Sequence, residues 1–179
     1  TRELRAGETA ESIKQQPAIA ATREAYKRCG KDPSRYRPSA EALRRRLMRG
    51  LELYQIDTLV DLINLVSLRT GYSIGGFDAD KIQGDSLELG IGRAEEPFEG
   101  IGRGTLNIEG LPVYRDQAGG IGTPTSDNER TKMGLETRRI LAIVNGYNGR
   151  EGLAEAAGMI QELLRKYADS DGGTILYFE

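Results

Sequence analysis

The stretch Thr58-Leu59-Val60-Asp61-Leu62-Ile63-Asn64-Leu65-Val66-Ser67-Leu68-Arg69-Thr70-Gly71 decides how the chain is read. Thr58 followed by Asp61 three residues on is a capping-box variant, and Gly71 supplies a left-handed stop, so the spacing predicts a helix between them. Leu59, Val60, Leu62, Ile63, Leu65, Val66 and Leu68 make it apolar almost all round, and a helix of that kind is buried on most sides. Its polar members are therefore informative. Asp61, Asn64 and Ser67 recur at i, i+3 and i+6 along one side. An amide buried without partners costs on the order of 1–3 kcal/mol, so Asn64 is expected either to bond a neighbouring loop's backbone or to face a pocket.

Upstream of this helix the chain also reads as helical. Pro17 can open a helix to about Arg28, with Ala18, Ala21, Ala25 and Tyr26 as its inner stripe and Gly30 as its stop. Ser39 is expected to cap a second, through about Arg49, with Ala40, Leu43 and Leu47 on one face and Arg44, Arg45, Arg46 and Arg49 around the rest. Downstream the pattern turns to short strands. Leu87 and Leu89 alternate with Glu88 and Gly90, and Thr105 to Tyr114 suits a hairpin about a Glu109-Gly110 turn. Ile140 to Val144 is a compact apolar strand, Glu151 to Tyr167 an amphipathic helix, and Thr174 to Phe178 a closing strand. Helices first and strands later indicate an α+β class, helices packed on a mixed or antiparallel β core, in one domain over residues 1–179. The chain opens on Thr1 and not on Met, from which an element of the native fold is expected to be missing at the front.

Composition narrows the chemistry. There is no His among the 179 residues, which removes the commonest general base and zinc ligand. A single cysteine, Cys29, rules out an internal disulfide and a Cys-cluster metal site, and fits a reducing, cytoplasmic setting. No apolar run approaches the ~18 residues that span a bilayer, so no membrane partner is expected. No metal or other cofactor is called for. Any catalysis would run on carboxylates, hydroxyls, amides and backbone dipoles. The net charge of −2 is uneven: residues 1–50 hold 13 Lys and Arg against 6 Asp and Glu, and the rest is acidic. A basic segment on an acidic body suggests either a localised polyanion contact or a solvated helix face.

Two glycine-rich stretches invite a functional reading. Gly100-Ile101-Gly102-Arg103-Gly104 lacks both the Lys-Ser/Thr ending of a P-loop and dinucleotide-binding spacing, so turn and strand-edge glycines are the expectation. The run from Gly119 through Thr131 is small, hydroxylated or charged, and could offer several N–H and hydroxyl donors to a ligand.

With these elements laid out, the helix from Val60 to Leu68, then Gly71, then Gly76-Phe77-Asp78-Ala79-Asp80-Lys81-Ile82, resembles the B3/B4 domain of the phenylalanyl-tRNA synthetase beta subunit. The pattern there is a Val-Asp-x-x-Asn helix, a Gly and a Phe-Asp-x-Asp turn. Tyr36 to Leu43 looks like the entry of free-standing members, and Arg115-Asp116 and Asp127 to Thr137 also look like theirs. The resemblance covers about residues 17–167. It implies an aminoacyl-tRNA deacylase fold, since in the synthetase this module hydrolyses tyrosine wrongly attached to the phenylalanine tRNA. Asn64 stands where the family's pocket Asn stands, and Gly75 where the synthetases commonly have a His. The family's pocket Glu aligns with Gly120 to Asp127, where Asp127 and Glu129 are the nearest carboxylates.

The expected activity is clearance of misacylated tRNA in trans. Catalysis would fall to Asn64, holding the aminoacyl group, and to Asp127 or Asp78, orienting water. Asp61, Ser67, Gly75, Gly76, Phe77, Gly120, Thr123 and Ser126 would line the substrate pocket, with Gly120 to Ser126 offering oxyanion donors. Arg37, Arg44, Arg45 and Arg46 would meet tRNA phosphates. The ligands expected are tRNA or aminoacyl-tRNA and a small amino acid, with no DNA. The alternative is a non-catalytic RNA or amino-acid binding module that kept the fold.

Overall fold

The computed structural model describes residues 7–178. Five α-helices and seven β-strands occupy them. The helix of the opening stretch runs Thr58–Thr70 and is α4 in chain order, after α1 (Ala10–Gln15), α2 (Pro17–Arg28) and α3 (Ser39–Met48). Its cap is one residue earlier than expected: the Asp57 side chain accepts from the Val60 N–H at 3.0 Å, and Asp61 accepts from the Ile56 N–H at 3.2 Å. Gly71 ends the helix at φ 81°, a conformation costly for any residue with a Cβ.

From Gly71 the chain enters β1 (Ser73–Asp78), buried at every position. β1 pairs antiparallel with β7 (Ile140–Asn145), Gly75 opposite Ile143 and Phe77 opposite Leu141. Alternation sends the two faces of β1 to different neighbours. Ile74 joins Ile63, Val66, Met133 and the inner stripe of α5 (Leu153–Tyr167; Ala156, Ile160, Leu164) in the main core. The Gly75 and Phe77 face meets a second, three-stranded antiparallel sheet ordered β2 (Glu88–Ile91), β5 (Pro112–Asp116), β6 (Gly119–Gly122). A short hairpin of β3 (Glu99–Gly100) and β4 (Gly104–Thr105) closes one side. Helices therefore cover one face of β1 and a sheet covers the other, an α+β architecture.

Polar bonds tie these layers together. Asn145 donates from Nδ2 to the Ser73 carbonyl at 2.9 Å, and its Oδ1 accepts from the Tyr114 hydroxyl at 2.9 Å, joining the two sheets. The Tyr26 hydroxyl of α2 shares a 2.9 Å hydrogen bond with Thr125 Oγ1, and the Ser39 N–H of α3 donates to the Pro124 carbonyl at 2.8 Å. The loop after β6 is thus anchored by two helices.

Several expectations are corrected. Ahead of the expected helices lies α1, which a Thr9–Ser12 capping box starts. α2 buries Ala18 and Tyr26 as expected, but Ile19 and Thr22 take the place of Ala21 and Ala25, which are only half-buried. The hairpin about Glu109-Gly110 does not form: Ile108 and Leu111 are core residues outside any strand, and the hairpin partner of β5 is β6. Residues 174–178 form no strand. Gln161 of α5 instead donates to the carbonyls of Gly172 and Gly173, and Leu176 and Phe178 remain exposed.

Candidate functional site

The two sheets meet at a slot walled by glycine. A Cβ on Gly75 would lie 2.7 Å from Phe77 Cζ and 3.1 Å from Asp127 Oδ1. One on Gly122 would lie 2.5 Å from the same Cζ and 3.0 Å from the same Oδ1. The absence of side chains at 75 and 122 therefore admits the tip of the Phe77 ring and one carboxylate oxygen. Gly76, between them, faces the other way, toward Ile63 of α4 and Met133. Its N–H donates to Asp127 Oδ2 at 3.1 Å.

Backbone pairing fixes Asp127. It bridges Gly122, and its carbonyl accepts from the Ile101 N–H at 3.0 Å. The residue keeps some exposed surface, but its carboxyl is sunk in the slot, and burial pushes its pKa up to about 7 against the pull of the Gly76 N–H. Oδ1 has no hydrogen-bond partner among the described residues. A half-ionised carboxyl with a free oxygen is equipped to take a proton near neutral pH.

Asp78 lies at the end of the same strand in a different environment. Oδ2 accepts from Thr137 Oγ1 at 2.9 Å, Oδ1 from the Asp80 N–H at 3.1 Å, and Lys81 Nζ stands at 3.3 Å. Burial would raise its pKa, but the hydrogen bonds from Thr137, Asp80 and Lys81 outweigh it and hold the carboxyl below its usual range. The structure makes Asp78 the cap of the short 3₁₀ turn Ala79–Lys81, not a free base.

Other expected site residues also have local employment. Asp61 serves the start of α4, and Ser67 is 2% exposed in its packing face. Asn64 is half-buried, and its carboxamide has no partner among the described residues. Thr123 Oγ1 accepts from the N–H groups of Thr125 and Ser126 and donates to the Ser126 carbonyl, so this loop spends its donors on itself. Gly120 packs against Phe98. The Gly100–Gly104 stretch is the β3–β4 hairpin, and its Gly102 N–H is taken by Glu129 at 3.2 Å.

The arginines do not gather into one basic face. Arg44 is 3% exposed and paired with Glu8, and Arg45 meets the buried Glu41 at 2.7 Å. Arg46 stacks on Tyr54 at 3.8 Å, and Arg37 is exposed apart from them. Helical spacing could not show this, because the acids that neutralise Arg44 and Arg45 lie partly on another element. Gly122 lies in the Gly120 to Ser126 run expected to offer oxyanion donors, yet its part in the slot is to leave room for the Phe77 ring and Asp127 Oδ1.

This strand–glycine–carboxylate arrangement sits inside a known module: the B3/4 domain matches residues 21–165. The chain belongs to the B3/4 domain family. It is a phenylalanyl-tRNA synthetase beta-chain-like module, and a tRNA-related partner is in keeping with that membership. No curated protein matches the chain as a relative. Among the described residues, no helix of this B3/4 domain is long and apolar enough to cross a membrane.

Proposed function

We propose that this B3/4 chain clears misacylated aminoacyl-tRNA in trans, with Asp127 as the group that accepts the proton of the attacking water. The water oxygen adds to the ester carbonyl carbon as its proton passes to the carboxylate. The ester C–O bond then breaks, and the proton passes to the departing ribose oxygen. The observation that carries the reading is the Asp127 carboxyl itself: Oδ2 held by the Gly76 N–H, Oδ1 open, and a pKa near 7. Aminoacyl esters are activated, so one positioned base with a free oxygen supplies much of what hydrolysis needs. The free Asn64 amide is suited to hold the aminoacyl group, and the reaction balances with no cofactor.

A panel of mischarged tRNAs tests this. Wild type is expected to turn over at least one, with a rate that rises through about pH 7. Asp127→Asn should lower that rate by ~10²–10⁴-fold. Asn64→Ala should mainly raise KM. No turnover on any tRNA overturns hydrolysis. The second reading, a non-catalytic RNA or amino-acid binding module, is favoured by one observation: the Phe77 ring occupies the space a side chain at 75 would need. Binding without turnover would select it.

A further inference from the structure

We infer that the cavity beside the Asp127 slot seats a neutral, amino-bearing base: the adenine of the 3′-terminal nucleoside whose ribose carries the ester. That this nucleoside is a tRNA end rests on the deacylation reading; the base site itself does not. The cavity holds about 300 Å³ and lies between the β3–β4 hairpin, β6 and residues 128–130. Pro97, Phe98, Ala118 and Gly120 make its apolar part. A Cβ on Gly120 would lie 3.0 Å from Phe98 Cδ2, so Gly120 makes room for Phe98 as Gly122 does for Phe77.

The polar part singles out Asn128, which is 8% exposed. Its Oδ1 accepts from the Arg130 N–H at 2.9 Å, which orients the amide and leaves Nδ2 without a partner among the described residues. Nδ2 is not sealed in the interior, so it is open to a ligand in the cavity that Asn128 lines. Glu99 and Thr105 pair across the hairpin and line the same cavity, and neither side chain has a partner among the described residues. Arg130, the cation of the lining, is spent on Asp116 at 2.8 and 2.9 Å. An anionic ligand would therefore meet the Glu99 carboxylate and no free cation. A neutral ring with an amino group beside a ring nitrogen fits instead. Nδ2 donates to the ring nitrogen, and the amino group donates to the second lone pair of Oδ1 and to Glu99.

Reach decides which base this is. Asp127 and Asn128 are consecutive, and the Asn128 N–H donates to the Ile121 carbonyl at 2.8 Å, which ties both to β6. Gly120 at the cavity and Gly122 at the slot are no more than about 7 Å apart along the backbone. A ribose spans that interval. The base that enters the cavity while its ester meets Asp127 is thus the one on the esterified sugar, which in tRNA is adenine.

Adenosine monophosphate (AMP), titrated into the full chain and followed by NMR, tests the site. AMP should saturate and move the Asn128 side-chain amide signals. Inosine monophosphate, with a carbonyl oxygen in place of the amino group, should bind roughly tenfold more weakly or worse. Asn128→Asp keeps the acceptor for the Arg130 N–H but loses the Nδ2 donor, and should weaken AMP by a similar factor. Should that variant not fold, Glu99→Ala, at an exposed position, decides with a loss of roughly threefold or more. Intact uncharged tRNA should displace AMP, and the same tRNA without its terminal adenosine should not. No saturation by AMP, equal binding of inosine monophosphate, or undiminished binding by the folded variant overturns the base site, even in a chain that hydrolyses mischarged tRNA. AMP displaced by neither tRNA overturns the assignment to a tRNA end and makes a free adenine nucleotide the ligand. Saturation and displacement in a chain that hydrolyses nothing would sustain the site and reject the hydrolytic reading alone.

Discussion

Asp78 and Asp127 are two carboxylates bound to the same strand, and their environments push them in opposite directions. Asp78 ends β1 with a hydroxyl, an N–H and an ammonium around it, and its carboxyl stays ionised. Asp127 meets the middle of β1 with one N–H and an aromatic ring, and its carboxyl is held near half-ionisation. Both are desolvated, so burial alone does not separate them; the number of donors does. A buried carboxylate with three partners is a structural joint, and one with a single partner is a chemical resource.

The strongest way to break that contrast is Asp78→Ala. It leaves the Thr137 hydroxyl and the Asp80 N–H without their acceptor and Lys81 with only its looser pair to Glu136 at 3.8 Å, and is expected to cost about 3 kcal/mol. The measurement is the urea midpoint at constant m-value. A loss below about 1 kcal/mol would mean that Asp78 is not the joint described here.

Proton linkage gives the next effect, with opposite signs at the two residues. The Asp127 pKa is raised in the fold, so its share of stability is complete below its unfolded value near 3.8 and is lost as pH rises through about 7. The Asp78 pKa is lowered, so its share is present above its unfolded value and is lost as pH falls through the folded one. Wild type should therefore lose on the order of 2 kcal/mol between pH 4 and 7, after allowance for partial exposure, and Asp127→Asn should flatten that slope. Urea unfolding across this range checks both chains. A slope of equal size in Asp127→Asn would assign it to another group.

The sequence shows the frame better than the site because the two are encoded at different ranges. Pro17, Gly71 and the apolar stripe of Glu151 to Tyr167 act within a turn or two, and α2, α4 and α5 begin and end within a residue or two of where those signals put them. The pairing of strands across sixty or more residues leaves no such local mark. Leu87 and Leu89 look like one inner face, yet Leu89 is 56% exposed, because nothing in the local alternation shows whether a layer packs over β2. The site depends on that longer range. Asp78 and Asp127 are equally acidic in the chain, and only the register that puts Phe77 beside Gly122, and Thr137 beside Asp78, distinguishes them. Asn64 was legible as the odd polar residue on α4 because the surrounding residues are apolar, whereas Arg44 looked solvated until folding brought Glu8 to it.

Thr137→Val sharpens the comparison at the smallest cost. It removes one donor from Asp78 and keeps the side-chain shape, so Asp78 moves one step toward the environment of Asp127. The buried hydroxyl donates one 2.9 Å bond to a carboxylate that retains Lys81 and the Asp80 N–H and accepts one at 2.9 Å from the Gly134 N–H, so the expected loss is about 1–2 kcal/mol. The Asp78 titration should move upward, toward the usual carboxylate range, while the Asp127 midpoint stays in place. If both carboxyls shift together, they are coupled through β1, and counting donors separately at each end of the strand no longer explains their difference.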